Sequence, residues 1–87
     1  MIIPDTVKVG GYVYKVIRDK KLAKLNGEAN HEKLTIHLDK GLLKQVEEGT
    51  FIHEILHVVD SVFNNNSLTE AQVERLSEGL YQVIKEL

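Results

Sequence analysis

Two kinds of hydrophobic periodicity divide the chain into a strand-rich first half and a helical second half. Up to residue 38, short runs of β-branched and aromatic residues are separated by turn-forming residues, which is typical of strands. From residue 42 onward, apolar residues recur every three or four positions, which is typical of helices with one buried face. The pattern predicts an α+β fold, with a small antiparallel β-sheet of about three strands followed by two packed helices.

The first half is expected to begin with a β-hairpin. Two β-rich runs within residues 7–17 flank Gly10-Gly11, a dipeptide typical of tight hairpin turns. Residues 33–38 alternate in polarity and predict a half-buried antiparallel strand, whereas residues 27–30 fit a short strand or a turn. The basic segment 18–26 fits a loop or a short helical turn. The inward residues of the alternating strand are expected to be Leu34, Ile36 and Leu38.

The second half predicts one long helix, a short loop and a final helix. The first helix is expected from about Leu43 to Phe63, and the polar run 64–67 ends it. Thr69 is the expected N-cap of the last helix, with Gln72 as its capping-box partner. Gly79 is expected to allow close packing of the two helices. The expected buried stripe of the last helix consists of Val73, Leu76, Leu80, Val83, Ile84 and Leu87.

The segment His53-Glu54-Ile55-Leu56-His57 is an H-E-x-x-H motif within the first of these helices. On a helix, its two histidines lie one turn apart on the same face and can share one Zn²⁺, while Glu54 reaches a water at the same metal. On a strand they would be about 13 Å apart and could not bind one ion. The motif predicts a zinc site with Glu54 as general base, and the alternative is two half-exposed histidines on an amphipathic helix.

A hydrolytic zinc site needs a third protein ligand, which we expect on the last helix. The candidates are Glu70, Glu74 and Glu78. His57 lies about 9 Å before the end of its helix, and Glu74 lies about 7.5 Å beyond Thr69 if the helices are antiparallel. Glu74 is therefore the preferred third ligand and Glu70 the alternative, with Glu78 a candidate to orient a histidine through its distal ring nitrogen.

Other polar residues have weaker expected links to such a site. Asp60, one turn after His57, fits either an acceptor for a ligand or a surface charge. Tyr81 is expected to be a packed helix residue, with donation to a developing oxyanion as the alternative. His31 and His37 are expected to be exposed strand or loop residues rather than ligands.

Composition narrows the class of protein. The 87 residues suggest one domain spanning residues 1–87, and the net charge of −2 without a basic run argues against nucleic-acid binding. The chain has no cysteine, so disulfides and cysteine-ligated zinc are excluded and a cytoplasmic location is expected. Neither a signal peptide nor a membrane span is expected.

The order of strands, H-E-x-x-H helix, short loop and glutamate-bearing helix resembles a known family. Residues 53–60 and 68–76 are similar to the minimal gluzincin-type metallopeptidases, among them small phage and bacterial relatives of the ImmA/IrrE family. The resemblance implies a zincin-like fold, Zn²⁺ as cofactor and a peptide or protein substrate, with Glu54 as base. Aligning the family's glutamate segment places its ligand at Glu70, so the choice between Glu70 and Glu74 stays open.

Three functions follow as hypotheses. The first is a zinc-dependent metallopeptidase that binds Zn²⁺ through His53, His57 and Glu74, with an extended substrate added to the edge of the strand Leu34–Leu38. The second is a non-catalytic, metal-stabilised protein-interaction module of phage or host regulation. The third is a metal-free helical interaction protein. The presence of Glu54 favours the first, because a structural metal site needs no base.

Overall fold

A computed structural model describes residues 1–22 and 25–87. These residues form four strands and two helices in the order β1 (Thr6–Val9), β2 (Tyr12–Ile17), β3 (Gly27–Asn30), β4 (Thr35–Leu38), α1 (Lys44–Phe63) and α2 (Glu70–Lys85). The predicted α+β order of a sheet followed by two helices is confirmed. No helix in this described part combines the length and apolarity needed to cross a membrane.

The sheet differs from the prediction in size and in strand direction. Its strand order is β1-β2-β4-β3, and the central β2 and β4 are parallel, whereas both outer pairs are antiparallel. The prediction of an antiparallel sheet of about three strands was therefore wrong, because β3 and β4 form their own hairpin and β4 then pairs alongside β2. The described parts of segment 18–26 contain no helix or strand, and residues 23–24 of that segment lie outside the described residues.

Local turn chemistry sets the ends of these strands. Gly10 has a positive φ of 60°, as the first turn residue of a tight hairpin requires, and Val9 pairs with Tyr12 across this turn. Leu34 also has a positive φ of 53°, which a strand cannot continue through, so β4 begins at Thr35 and not at residue 33. Ile36 and Leu38 are buried as expected.

The position of β4 changes the expected peptide-binding edge. β4 pairs with β2 on one side and with β3 on the other, so the strand Leu34–Leu38 has no open edge for a substrate. The open edge on this side of the sheet belongs to β3. The prediction that a peptide adds to Leu34–Leu38 was thus wrong, because that strand is internal.

The helices form two successive layers over the sheet. α1 packs against β1, β3 and β4, whereas α2 contacts only α1 among the described elements. The core between the sheet and α1 consists of Ile3, Val9, Tyr14, Ile36, Leu38, Phe51, Ile52 and Val58. α1 is therefore the central element of the molecule, and α2 is an outer helix with much of its circumference in solvent.

The predicted helix boundaries agree closely with the structure, but the predicted packing of α2 does not. Thr69 caps α2, and the reciprocal hydrogen bonds of the capping box with Gln72 are both present. The predicted packing role of Gly79 was wrong, because a Cβ at that position would meet nothing within 4 Å. The predicted stripe was also wrong beyond Val73, since its other five members, Leu76, Leu80, Val83, Ile84 and Leu87, are exposed.

Candidate metal centre

The two histidines of the motif lie on one face of α1, as a helical H-E-x-x-H requires. The ring centroids of His53 and His57 are 4.9 Å apart, and the ring planes are inclined by 66°. Both side chains are only partly buried, and both present their Nε2 atoms to the same carboxylate. The helix thus brings two imidazole nitrogens to one point in front of α2.

Glu70, the first residue of α2, completes a three-residue cluster with these histidines. Its Oε1 lies 2.8 Å from Nε2 of His53, and its Oε2 lies 3.0 Å from Nε2 of His57. In the described part of the chain, these three residues are the one group whose potential metal-ligand atoms all lie within 4.8 Å of one another. Glu70 was the alternative to the preferred Glu74, and it is Glu70 that lies at the histidines.

Glu74 lies one turn further along α2 and is not part of this cluster. The expected level of the third ligand assumed that α2 starts beside the end of α1. Instead, the backbone N–H groups of Ser67 and Leu68 bond to Asp60, so the chain has already returned to the level of Asp60 before α2 begins. Glu70, two residues later, is consequently level with the histidines, and Glu74 is too far along.

Asp60 is neither a histidine partner nor a surface charge, the two roles considered from the sequence. It is buried, and its Oδ1 accepts hydrogen bonds from Asn64 Nδ2 at 2.9 Å, from Ser67 N at 3.1 Å and from Leu68 N at 3.3 Å. One carboxylate therefore fixes the loop between the helices. This loop in turn determines where Glu70 stands.

Ser77 is a site residue that sequence reasoning missed. It is buried, its hydroxyl donates to the carbonyl of Glu74 at 3.0 Å, and its Oγ lies 3.4 Å from Nδ1 of His53. Contact with the distal ring nitrogen of a histidine was the role considered for Glu78, which is exposed instead. The available signal was its spacing of four residues from both Val73 and Tyr81, which marks Ser77 as a polar residue on the packed face.

Glu54 is a buried carboxylate between the histidines and β3. Burial raises its pKa above the ordinary value, while the charges of His53 and His57 and a hydrogen bond from the backbone N–H of Ala29 oppose that shift. Gly27 allows this close approach of β3 to α1. A Cβ at Gly27 would lie 3.2 Å from Cγ of Glu54 and 2.6 Å from the methyl group of Thr50.

Two neighbouring cavities of about 540 and 530 Å³ form an open cleft around the cluster. Both are lined by Leu25, Gly27, Glu54 and Glu70, so they meet at the site. The first continues between the helices past Glu74, Ser77, Glu78 and Tyr81, and the second continues along β3 past Glu28, Ala29 and His31. A chain-like ligand lying in this cleft would pass directly over Glu54.

The remaining sequence candidates have other roles in the structure. The hydroxyl of Tyr81 donates to Oε1 of Glu48 at 2.7 Å, so it is engaged away from the cluster and acts as a packed residue. His31 is exposed and hydrogen-bonds through Nδ1 to the hydroxyl of the buried Tyr14. His37 is half-buried in β4. Neither of these histidines belongs to the metal-ligand cluster.

Searches among family models, curated proteins and solved structures found no match to this chain. The function is therefore inferred from the site itself. Its elements are a convergent pair of imidazoles, a carboxylate from the next helix, a buried glutamate beside them and an open cleft.

Proposed function

We propose that this chain is a zinc-dependent metallopeptidase of zincin type. One observation carries the proposal: His53, His57 and Glu70 converge, and the buried Glu54 lies beside them at the meeting point of two cavities. Two histidines with a glutamate form a ligand set of catalytic zinc sites, in which the fourth position is left for water or substrate.

The spacing of the three residues fits a zinc ion. Ligand atoms bound at about 2.0 Å around a tetrahedral ion lie roughly 3.3 Å from one another. The histidine nitrogens lie 2.8 and 3.0 Å from the carboxylate oxygens of Glu70, so small side-chain movements suffice to seat the ion. The site therefore needs no rearrangement of either helix.

The contact of Ser77 with Nδ1 of His53 also supports a cation at Nε2 of the same ring. The hydroxyl proton of Ser77 is donated to the carbonyl of Glu74, so its oxygen, 3.4 Å from Nδ1 of His53, can accept from that nitrogen in the tautomer that carries the ring proton there. Nε2 of His53 then faces a carboxylate oxygen with its lone pair. A positive charge between these two atoms, either a second ring proton or a metal ion, is needed to make that contact favourable.

The chain's own residues would divide the reaction between them. When bound, the zinc ion acidifies water and polarises the substrate carbonyl. Glu54 accepts a proton from the attacking water on its carboxylate and passes it to the leaving amine nitrogen. Its buried position suits this task, because a raised pKa helps a carboxylate to hold the proton between the two transfers.

The substrate is proposed to be an extended peptide lying along β3. The carbonyl of Asn26 accepts from Asp39 N, so alternation directs the backbone groups of residues 27 and 29 away from β4. These residues border the cleft beside Glu54. Because the N–H of Ala29 bonds to Glu54, a peptide strand can pair with the N–H and carbonyl of Gly27 and with the carbonyl of Ala29, and so bring its scissile carbonyl to the site.

Metal analysis tests the ligand set. Purified wild type is expected to bind one equivalent of Zn²⁺, measured by elemental analysis and by competition with a chelator. Glu70→Ala is expected to weaken zinc binding by more than the roughly 10- to 100-fold typical of outer-shell changes. Glu74→Ala is the matched control, one turn away on the same helix, and should retain zinc. Equal retention by both variants would exclude Glu70 as a ligand.

Cleavage of a peptide library tests the reaction. Glu54→Gln preserves size and hydrogen bonding, so it should retain zinc but lose about 10²- to 10⁴-fold in cleavage rate. Cleavage at the wild-type rate would remove Glu54 from the mechanism. A zinc-loaded wild type that cleaves no peptide would instead support the metal-stabilised interaction module.

A further inference from the structure

Helix α2 carries two apolar faces, and only one of them has a partner. The packed face consists of Val73, Ser77 and Tyr81, which recur every four residues and face α1. Leu76 and Leu80 each precede a member of that face directly, so they lie about 100° further around the helix. α2 contacts no described element except α1, so nothing in the described chain covers this second face.

The second face is unusually exposed for large aliphatic residues. Leu76, Leu80 and Val83 have exposed fractions of 50%, 45% and 54%, and Leu87, in the turn that follows α2, is 95% exposed. We call these four residues the outer stripe. Single exposed leucines are normal, but three aliphatic side chains in a row on one helix, followed by a fourth in the turn after it, mark an interaction surface.

The spacing of the outer stripe identifies its partner. Its residues are separated by four, three and four positions, which is the a/d repeat of a coiled-coil seam. The same order of intervals is obtained in either direction along the helix. A second copy of α2 and its terminal turn, laid antiparallel, therefore places Leu80 opposite Val83 of that copy, and Leu76 opposite Leu87. We propose that two copies of this chain associate through their outer stripes as a symmetric antiparallel dimer.

The charges beside the stripe support a second copy over an unrelated partner. Arg75 and Glu86 lie on the same flank of the stripe, the one further from α1, and no ion pair in the described part of the chain involves either residue. In the antiparallel arrangement, Arg75 lies within about 3 Å along the axis of the level of Glu86 in the other copy. The dyad repeats this pair, giving two complementary contacts.

The dimer surface is separate from the candidate metal centre. Glu74 and Glu78 line the cleft, and each directly follows a member of the packed face, so they lie on the opposite flank of α2 from the outer stripe. Association through the stripe therefore leaves the cleft open. The inference does not depend on the proposed hydrolase function.

Sedimentation velocity across low to high micromolar concentrations tests the proposal. The wild type is expected to shift from the mass of one chain, 9.9 kDa, to twice that mass. Leu80→Glu should remain monomeric throughout, because it buries two charges near the dyad. Leu43→Glu is the control, since Leu43 is 78% exposed but is the N-cap residue that precedes α1, outside the stripe, and this variant should dimerise like the wild type. Circular dichroism verifies that each variant is folded.

Charge reversal distinguishes the antiparallel homodimer from other associations. Arg75→Glu and Glu86→Arg should each raise the dimer Kd by roughly 2- to 30-fold, because two exposed ion pairs are lost. The double variant should restore the Kd, since both pairs are then rebuilt with exchanged signs. A monomeric wild type at all concentrations, a dimeric Leu80→Glu variant, or a double variant weaker than both single ones would overturn the proposal.

Discussion

The two helices of this molecule invert the usual relation between polarity and burial. α1 is the central element, yet it buries three carboxylates, those of Glu48, Glu54 and Asp60. α2 is the outer element and exposes Leu76, Leu80 and Val83 instead. Burying a charge and exposing a row of aliphatic side chains are both unfavourable, so each requires a compensating contact.

The compensation differs between the helices. On α1 every buried carboxylate has a specific partner within the chain: Glu48 the hydroxyl of Tyr81, Glu54 the N–H of Ala29, and Asp60 the interhelical loop. On α2 the outer stripe has no partner in the described chain. The comparison indicates that α1 was shaped by an internal site, and α2 by a contact outside one copy of the chain.

The largest expected effect comes from the buried carboxylate that fixes the loop. Asp60→Ala leaves the N–H groups of Ser67 and Leu68 without their acceptor, which we expect to cost about 3 kcal/mol of unfolding free energy. Because the loop positions Glu70, zinc affinity should fall as well. Urea unfolding and a chelator competition measure the two effects.

Asp60→Asn is the matched control, since it keeps an oxygen acceptor at the same position. It should lose less stability than Asp60→Ala and retain more zinc. If Asp60→Ala unfolded like the wild type, the loop would have to be held by other contacts, and the argument that places Glu70 at the histidines would lose its basis.

The next effect concerns the contact between α1 and the edge of the sheet. In Gly27→Ala the added methyl group would lie 2.6 Å from the methyl of Thr50, so β3 must move away from α1. We expect a loss of about 2 kcal/mol, which is typical of overpacking. Peptide cleavage should fall with zinc content unchanged, because β3 borders Glu54. Thermal unfolding measures the loss of stability, and elemental analysis measures the zinc content.

Gly11→Ala provides the control for this substitution. A Cβ at Gly11 meets nothing within 4 Å, and its φ lies outside the left-handed region. Its stability should stay within about 0.5 kcal/mol of the wild type. Equal losses in the two variants would mean that the close approach at Gly27 has no energetic importance.

The helical half of the fold was predictable because its signals are local. The motif, the polar break and the Thr69–Gln72 capping box are each contained in a few residues, and the helix boundaries followed from them. The parallel pairing of β2 with β4 was not predictable, since it joins residues that are 20 positions apart through a connection without a sequence signature. Strand patterns indicate faces but not neighbours.

In the candidate site, the placement of the two histidines and of Glu54 was predictable, whereas the carboxylate that joins the histidines was ambiguous. The spacing of His53 and His57 fixes their relation on any helix, whereas the choice between Glu70 and Glu74 depends on the path of a loop. That path is set by Asp60, whose bonds to Ser67 and Leu68 have no pattern in the sequence. The apolar residues of α2 likewise form one stripe in the sequence, and the pattern does not indicate which of them contact α1.

A contact between the two helices is expected to make stability depend on pH. The hydrogen bond from Tyr81 holds the pKa of Glu48 below its ordinary value, although burial opposes this shift. A lowered folded-state pKa gives stability that is present above the unfolded-state pKa and is lost as pH falls through the folded-state value. Tyr81→Phe should therefore destabilise the protein at pH 7, and by less at pH 3.

Urea unfolding of wild type and Tyr81→Phe at both pH values checks this prediction. The wild type is expected to lose more stability than the variant between pH 7 and pH 3, because only the wild type has the donor that favours the ionised form of Glu48. A difference between the two proteins that is independent of pH would show that the hydroxyl of Tyr81 stabilises the fold without favouring the ionised form of Glu48.

The smallest expected effect is that of a substitution on the outer side of α2. Gly79→Ala adds a methyl group where nothing lies within 4 Å, so it should stabilise the single chain by about 0.5–1 kcal/mol through helix propensity. Gly49→Ala on α1 is the counterpart, since its added methyl would meet the ring of Tyr81 at 3.8 Å. Thermal unfolding at low micromolar concentration compares them. Stabilisation at Gly49 with destabilisation at Gly79 would mean that the outer side of α2 is already covered under these conditions, which would remove the contrast between the two helices.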